Sequence, residues 1–204
     1  MGEPAVKSRA FTLIEILCVL AVVGALAGLL LPGFNGARRK AEAARTRTQF
    51  AQWTAAIEAF RSEYGCYPQF AADHLVNGGV TTTDHPFHDV LAGRHRDGSA
   101  LAAGSDPALQ NRRALAFCAF SDTWFSDAKL LQDASGQTAI AVLVDRDLDG
   151  VIRAGVDYVS LPVVAGQVPA EADFPAAGVR AGVVFYAPAP GSTSVNPTFV
   201  FSWK

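Results

Sequence analysis

Carboxylates alternate in the segment Asp145-Arg146-Asp147-Leu148-Asp149-Gly150, which follows an apolar run. Carboxylate oxygens at every second position can converge on one hard cation, and the glycine allows the sharp turn of a calcium loop. The second half departs from the helix-flanked calcium motif, because Val156 stands where a bidentate glutamate is expected and Asp157 follows one residue later. The residues predict a Ca²⁺ loop flanked by strands, held by these three aspartates and completed by Asp157 or by backbone carbonyls. The alternative is a solvated acidic turn after a strand.

Histidines and carboxylates also lie together between Asp84 and Asp89, with His85 and His88 between them. Pro86 interrupts the group, and the spacing is loose for metal ligands. The pattern therefore favours a polar loop or the start of a helix over a metal site.

Strands are the elements that would position the acidic loop. Apolar, β-branched runs predict strands at residues 138–144, 157–164, 179–187 and 198–203. Sequential strands with short connections favour an antiparallel sheet, here as a head over residues 138–204. The preceding section, residues 65–137, is mixed and carries no motif that we can name. It reads as a variable insertion with short helices at 85–96 and 107–120.

An amphipathic helix precedes this section. Apolar residues spaced three and four apart form one stripe, and Gly65 stands where such a helix would end. The stripe consists of Phe50, Trp53, Ile57, Phe60 and Tyr64. We expect it to pack the helix, over residues 32–64, against the sheet. A kink or local melting is expected at residues 31–36, where a proline and two glycines lie.

Composition and motifs give no support to several classes of function. The chain has 204 residues and a net charge of -2, which allows one domain or a small domain with an appendage. The basic residues between 38 and 47 lack interleaved aromatics, so they do not indicate nucleic-acid binding, although they could touch lipid headgroups. The sequence contains no G-x-S-x-G elbow, phosphate-binding loop or C-x-x-C pair, so nothing indicates an enzyme.

An apolar run of 21 residues, from Phe11 to Leu31, contains a single charge, that of Glu15. At ~1.5 Å per residue, such a helix covers the roughly 30 Å of a bilayer core. The run is longer than the apolar region of a secretory signal peptide, and Pro32 and the residues after it match a cleavage site poorly. A signal peptide and a plain signal anchor are nevertheless alternatives. Counting lysines and arginines alone would favour a cytoplasmic C-terminal side.

The stretch Ser8-Arg9-Ala10-Phe11-Thr12-Leu13-Ile14-Glu15 closely resembles the processing site of type IV prepilins and type II secretion pseudopilins. The resemblance implies a charged leader, residues 1–10, that a prepilin peptidase removes by cutting between Ala10 and Phe11. It also implies methylation of the new N-terminus. Ala10 stands where the family usually has glycine. A second element, Gly65-Cys66-Tyr67-Pro68, is similar to the turn after the long helix of major pseudopilins.

Glu15 fits this interpretation physically. An unpaired carboxylate in lipid costs about 2.5–3.5 kcal/mol on insertion scales, so it needs a partner. Cleavage before Phe11 would create a positive amine at a similar depth, and Glu15 of one subunit could pair with that amine of its neighbour. Such a pair would fix the axial stagger of subunits, as a buried polar residue fixes coiled-coil register.

The resemblance implies an α+β, pilin-like fold: a long N-terminal helix, membrane-spanning over residues 11–31, packed on a C-terminal antiparallel sheet. It implies a single-pass protein of the bacterial inner membrane with a periplasmic head, extracted into a filament with sister subunits. Further partners would be the prepilin peptidase, an assembly platform and an ATPase. The alternatives are a minor type IV pilin of an adhesion or uptake pilus and a membrane-anchored calcium-binding or enzymatic domain.

In that orientation Cys66 and Cys118 would lie outside the cytoplasm. A disulfide between them would close a loop of about 50 residues and contribute on the order of 4 kcal/mol in the entropic account. Two unpaired cysteines, one of them buried, are the alternative. Cys18 lies in the apolar run and is interpreted as a small apolar residue.

Overall fold

The computed structural model describes residues 12–204, apart from the side chains of residues 27–34. The predicted leader and the Ala10–Phe11 junction therefore lie outside the described residues. The chain divides into two compact units, Met1–Lys40 and Ala41–Lys204. The elements in chain order are α1 (Leu13–Tyr64), α2 (Pro86–Ala92), α3 (Asp106–Gln110), a 3-10 helix (Asp122–Trp124), β1 (Ala141–Val144), β2 (Val183–Pro188) and β3 (Phe199–Phe201).

In the first unit, the described apolar side chains of α1 face outward. The large apolar side chains between Leu13 and Leu26 are 50% to 82% exposed. α1 is helical through residues 31–36, so the predicted interruption does not end it. Among the residues that the structure describes, no helix combines the length and the apolar content needed to cross a membrane.

In the second unit, α1 uses the predicted stripe to pack on the sheet. Phe50, Trp53, Ile57 and Phe60 are at most 1% exposed, and the rings of Phe50 and Trp53 lie 5.4 and 5.6 Å from that of Phe185 on β2. Burying side chains of this size contributes about 1.5–3 kcal/mol each, so the stripe fixes the helix on the sheet. The predicted packing face is confirmed.

Gly65 ends α1 as predicted. It has a φ of +76°, and its N–H donates to the carbonyl of Arg61 at 2.7 Å. A left-handed glycine after the last helical residue satisfies a carbonyl that the helix leaves unpaired. The chain can then reverse direction toward the middle section.

The sheet is antiparallel with the order β1-β2-β3, and Val142 pairs with Phe185 while Ala187 pairs with Val200. These four side chains belong to the core under α1. The alternate residues of the strands, such as Leu143 and Tyr186, belong to a second core on the opposite face. Because both faces are covered, the strands read as continuous apolar runs rather than alternating ones. The α+β class with an antiparallel sheet is confirmed.

The strand predicted at residues 157–164 is wrong. That segment forms isolated bridges, Ala154 with Tyr158 and Val164 with Gln167, and no strand. Pro162 has no N–H to donate to a ladder. Tyr158 and Val164 instead pack their side chains into the second core, so the segment covers the sheet rather than extending it. The other three strands form at the predicted places but are shorter.

The middle section contributes to the same core as α1. Phe87 and Leu91 of α2 are buried, and the Phe87 and Trp53 rings lie 5.4 Å apart. The helix predicted at 107–120 is wrong beyond Gln110. Asn111 is buried there, donating to the carbonyls of Val90 and Leu115 and accepting from the N–H of Leu115. An asparagine amide bonded to backbone in this way competes with helix formation.

Candidate functional site

Glu15 closes a hydrogen-bonded cap at the start of α1. Its Oε2 accepts the backbone N–H of Thr12 at 2.9 Å and the Thr12 hydroxyl at 2.8 Å. The Thr12 hydroxyl oxygen in turn lies 3.4 Å from the backbone N of Glu15. This reciprocal arrangement is a capping box, which satisfies two N–H groups at a helix start. The spacing Thr-x-x-Glu could have revealed it in the sequence, so Glu15 has a structural role within its own helix.

The predicted calcium ligands Asp145, Asp147 and Asp149 come together directly after β1. One carboxylate oxygen from each lies within 4.8 Å of the others. Leu148 and Gly150 adopt left-handed backbone angles, with φ of +62° and +84°, and these turn the loop back on itself. Asp145 is buried, and its two oxygens accept the N–H groups of Asp149 and Gly150 at 3.2 and 2.7 Å. The buried carboxylate therefore holds the loop closed.

Asp157, the fourth predicted ligand, is engaged with backbone. Its Oδ1 accepts the N–H of Arg146 at 2.7 Å and its Oδ2 accepts the N–H of Arg153 at 2.8 Å. It is 1% exposed, and it is not among the three aspartates whose oxygens converge. Asp157 thus joins the two ends of the loop and positions the other carboxylates.

Arg153 was not foreseen as part of this loop. Its guanidinium Nη2 lies 2.6 Å from Asp149 and 3.3 Å from Asp147, on the partly exposed side. A cation at the loop would compete with this guanidinium for the carboxylates of Asp147 and Asp149. The oxygen-only donor set fits a hard divalent cation such as Ca²⁺.

Cys66 and Cys118 are both free thiols in the structure. Cys66 is exposed, whereas Cys118 lies in the core under α1. Burial raises the pKa of the Cys118 thiol to about 11. A thiol with such a pKa stays protonated and unreactive at neutral pH.

His85 lies at the start of a helix, as the sequence predicted. It is the N-cap of α2, where its Nδ1 accepts the N–H of His88 at 3.3 Å. Its Nε2 lies 3.1 Å from Oδ1 of Asn77. Since Nδ1 is an acceptor and the Asn77 oxygen needs a donor, the neutral ring carries its proton on Nε2. The deep burial of His85 lowers its pKa to about 4, which keeps the ring neutral.

A polar cluster at the end of α1 was also missed. The Tyr67 hydroxyl donates to Glu58 at 2.8 Å, and the Arg61 guanidinium donates to the Tyr67 oxygen at 2.9 Å. Gly182, just before β2, packs so closely that a Cβ there would meet both the Tyr67 hydroxyl and Glu58. The cluster thus connects the helix end, the Tyr-Pro turn and the sheet.

Comparison with known protein families finds a match at the N-terminal segment of the chain. Residues 6–31 match the protein family described as Prokaryotic N-terminal methylation motif. The resemblance to the prepilin processing segment is therefore confirmed. The description of this family names a methylation motif at the N-terminus, and the match ends where the apolar run ends.

A curated relative extends the comparison. The chain is 28% identical over 67 residues to the Type II secretion system core protein G of Pectobacterium carotovorum subsp. carotovorum. The match covers 33% of this chain and 43% of the relative, so the chain spans less than half of the relative's length. No solved structure matches the chain. The comparisons support a role of the pseudopilin or type IV pilin kind.

Proposed function

We propose that the chain is a structural subunit of a type II secretion pseudopilus, polymerised from the inner membrane to drive protein export. The match of residues 6–31 to the N-terminal methylation motif carries the proposal. The similarity to the secretion protein named above favours the secretion system over an adhesion pilus. The work of such a subunit is mechanical rather than catalytic.

Processing comes first in this proposal. A prepilin peptidase cuts between Ala10 and Phe11 and the new amine is methylated. Thr12 and Glu15 then stand directly behind the new terminus, where the capping box keeps the start of α1 helical. The Glu15 carboxylate is exposed in the single chain. It therefore remains accessible to a neighbour's amine.

Anchoring and assembly follow from the outward-facing apolar side chains of α1. Side chains on all sides of this segment are exposed in the single chain, from Leu13 to Leu26. Apolar surface of this extent needs lipid or neighbouring helices to cover it. In this proposal, lipid of the inner membrane covers the apolar surface before assembly, and the helices of sister subunits cover it afterwards. The assembly platform and its ATPase would transfer the subunit from the membrane to the filament.

The head would then lie in the periplasm, where it would bind Ca²⁺ through Asp145, Asp147 and Asp149. The convergence of three carboxylates within 4.8 Å supports this assignment. Asp157 would hold the loop in shape through the N–H groups of Arg146 and Arg153. The ion would neutralise carboxylates that now rely on Arg153 and on backbone N–H groups.

Intact mass spectrometry of the protein purified from membranes of a strain with the prepilin peptidase tests this proposal. We expect a chain that starts at Phe11 and carries one added methyl group. The same protein from a strain lacking the peptidase is the control and should retain residues 1–10. A mature chain that keeps those residues in both strains would overturn the proposal.

A further inference from the structure

Asp89 of α2 is a fully buried carboxylate with histidine partners. It is 0% exposed, its Oδ1 lies 2.8 Å from Nδ1 of His88, and its Oδ2 lies 2.9 Å from Nδ1 of His95. Oδ2 also accepts the backbone N–H of His85 at 3.1 Å. Among the ion pairs of the described residues, those of Asp89 are with histidines alone. A buried carboxylate is costly unless a cation or several donors compensate its charge.

A second carboxylate approaches the same histidine from the turn before α2. Oδ1 of Asp84 lies 3.8 Å from Nδ1 of His95. One ligand atom each from Asp84, Asp89 and His95 lies within 4.8 Å of the others. Three separate segments, the turn before α2, α2 itself and the turn after it, thus bring one nitrogen and two oxygens together. This is the donor set that Zn²⁺ and similar borderline divalent cations take in proteins.

The three residues open onto a cavity of about 570 Å³. Ser105 lines the same cavity, and its hydroxyl oxygen is buried without a hydrogen-bond partner among the described residues. Ser105 occupies the N-cap position of α3 but makes no capping hydrogen bond with its side chain. A serine at such a position usually bonds the backbone of its own helix. Its hydroxyl is thus an unsatisfied polar group at the wall of the cavity that Asp84, Asp89 and His95 also line.

We propose that Asp84, Asp89 and His95 form a binding site for a divalent transition metal of the Zn²⁺ class, with water as the fourth ligand. The ion would lie beside His95 Nδ1 and Asp89 Oδ2, which are 2.9 Å apart in the structure. Nδ1 binds it through its lone pair in the tautomer that carries the ring proton on Nε2. Ser105 is the hydrogen-bond partner of the metal-bound water.

The surroundings suit this assignment. His88 donates to Oδ1 of Asp89 and so orients the carboxylate, an outer contact typical of metal sites. Oδ2 accepts the His85 N–H through one lone pair and faces His95 with the other. The Asp84 side chain is 53% exposed, which gives the ion a path into the site. Once bound, the ion would join the turns on both sides of α2. It would thereby stiffen the middle section, which is separate from the acidic loop of the head.

Titration calorimetry of the full-length chain in detergent with ZnCl₂ tests the site. The protein carries no histidine tag, and saturating Ca²⁺ is present so that the acidic loop does not contribute. We expect one Zn²⁺ per chain, with affinity at least ~10-fold weaker in both His95→Gln and Asp84→Asn. His74→Gln, which changes a histidine outside the cluster, is the matched control and should bind like the unaltered chain.

A surface variant and a spectroscopic measurement allow the test to be interpreted even if one variant does not fold. Asp84 is on the surface, so Asp84→Asn reports on the site even if His95→Gln fails to fold. Co²⁺ in place of Zn²⁺ should give a visible absorption band that both variants lose. Absence of Zn²⁺ binding by the unaltered chain, or binding that Asp84→Asn leaves unchanged, would overturn the proposal.

Discussion

Asp145 and Asp147 make different interactions, although they are two residues apart in one loop. Asp145 accepts backbone hydrogen bonds, whereas Asp147 makes a surface ion pair. Asp145 is buried and fixes backbone N–H groups, so it is needed whether or not a cation is bound. Asp147 is 39% exposed and faces Arg153 through a pair at 3.3 Å. A surface pair of this kind is worth about 0–1 kcal/mol. Asp147 is therefore the residue at which the proposed calcium binding can be tested separately from the folding of the loop.

We expect Asp147→Ala to leave thermal stability nearly unchanged in chelator but to remove most of the stabilisation that calcium adds. At a hundredfold excess over Kd, a ligand adds about 2.7 kcal/mol, and losing one carboxylate ligand weakens that gain. Thermal unfolding of the full-length chain in detergent, with and without calcium, measures it. Asp127→Ala, which removes an exposed aspartate from another turn, is the control. An unchanged calcium response in Asp147→Ala would remove the calcium assignment.

His85 makes stability depend on pH. Its pKa is about 4 in the folded chain because the ring is buried, with His88 and Arg96 opposing its charge and Asp89 favouring it. The unfolded ring has a pKa of about 6.5, so between those values the unfolded state binds the extra proton and the folded state does not. Stability is therefore complete above about pH 6.5 and falls as the pH drops toward 4. Protonation would also remove the Nδ1 acceptor that caps α2.

Urea unfolding of the full-length chain at pH 7 and pH 5, in chelator, checks this dependence. The unaltered chain should lose up to about 1.4 kcal/mol per pH unit through His85. His85→Gln should show a shallower loss, since glutamine does not titrate. Equal losses in the two proteins would show that His85 does not control the acid response.

At the scale of elements, the periodicity of apolar residues predicts secondary structure best where the pattern is compatible with a single type of element. The stripe from Phe50 to Tyr64 and the glycine after it specified a helix, its packing face and its end without tertiary information. The segment at residues 157–164 shows the opposite case. Its apolar residues do enter the core, as Tyr158 and Val164 show, but they do so from a loop around Pro162. Burial alone does not distinguish a strand from a loop that covers a sheet.

Gly182 tests how closely the end of α1 and the sheet are joined. We expect Gly182→Ala to destabilise the protein by about 1–3 kcal/mol, because its Cβ would displace the Tyr67 hydroxyl from Glu58. Gly36→Ala is the matched control, since a Cβ there meets nothing and alanine favours a helix. Urea unfolding of both variants measures the difference. Equal stability of Gly182→Ala and the unaltered chain would mean that Tyr67 and Glu58 can move away from the new Cβ without loss of stability.

At the scale of the whole molecule, the sequence predicts the secondary structure and local contacts of a segment better than the contacts between separate segments. The three aspartates after β1 are close in sequence, so their convergence was foreseeable. His95 meets Asp84 and Asp89 only because two turns fold back over α2, and no spacing in the sequence marks that contact. The same limit applies to Asp157, whose residue type suggested a ligand and whose surroundings make it a backbone acceptor.

Glu15 has an observed role as the cap of its own helix and a proposed role in pairing with a neighbouring subunit. The capping box needs an acceptor oxygen, which glutamine retains, whereas pairing with a neighbour's amine needs the negative charge. Glu15→Gln separates these roles, because it keeps the cap and removes the charge. Glu15→Ala removes both. Thr12→Ala weakens the cap by about 0.5–2 kcal/mol and keeps the charge.

The decisive measurement is the fraction of each variant that enters sheared or cross-linked filaments, relative to the fraction inserted in the inner membrane. We predict that all three variants insert, that Thr12→Ala assembles like the unaltered chain, and that Glu15→Gln and Glu15→Ala do not assemble. Filaments built from Glu15→Gln at the normal level would contradict the account, because the carboxylate would then serve its own helix and no neighbouring subunit.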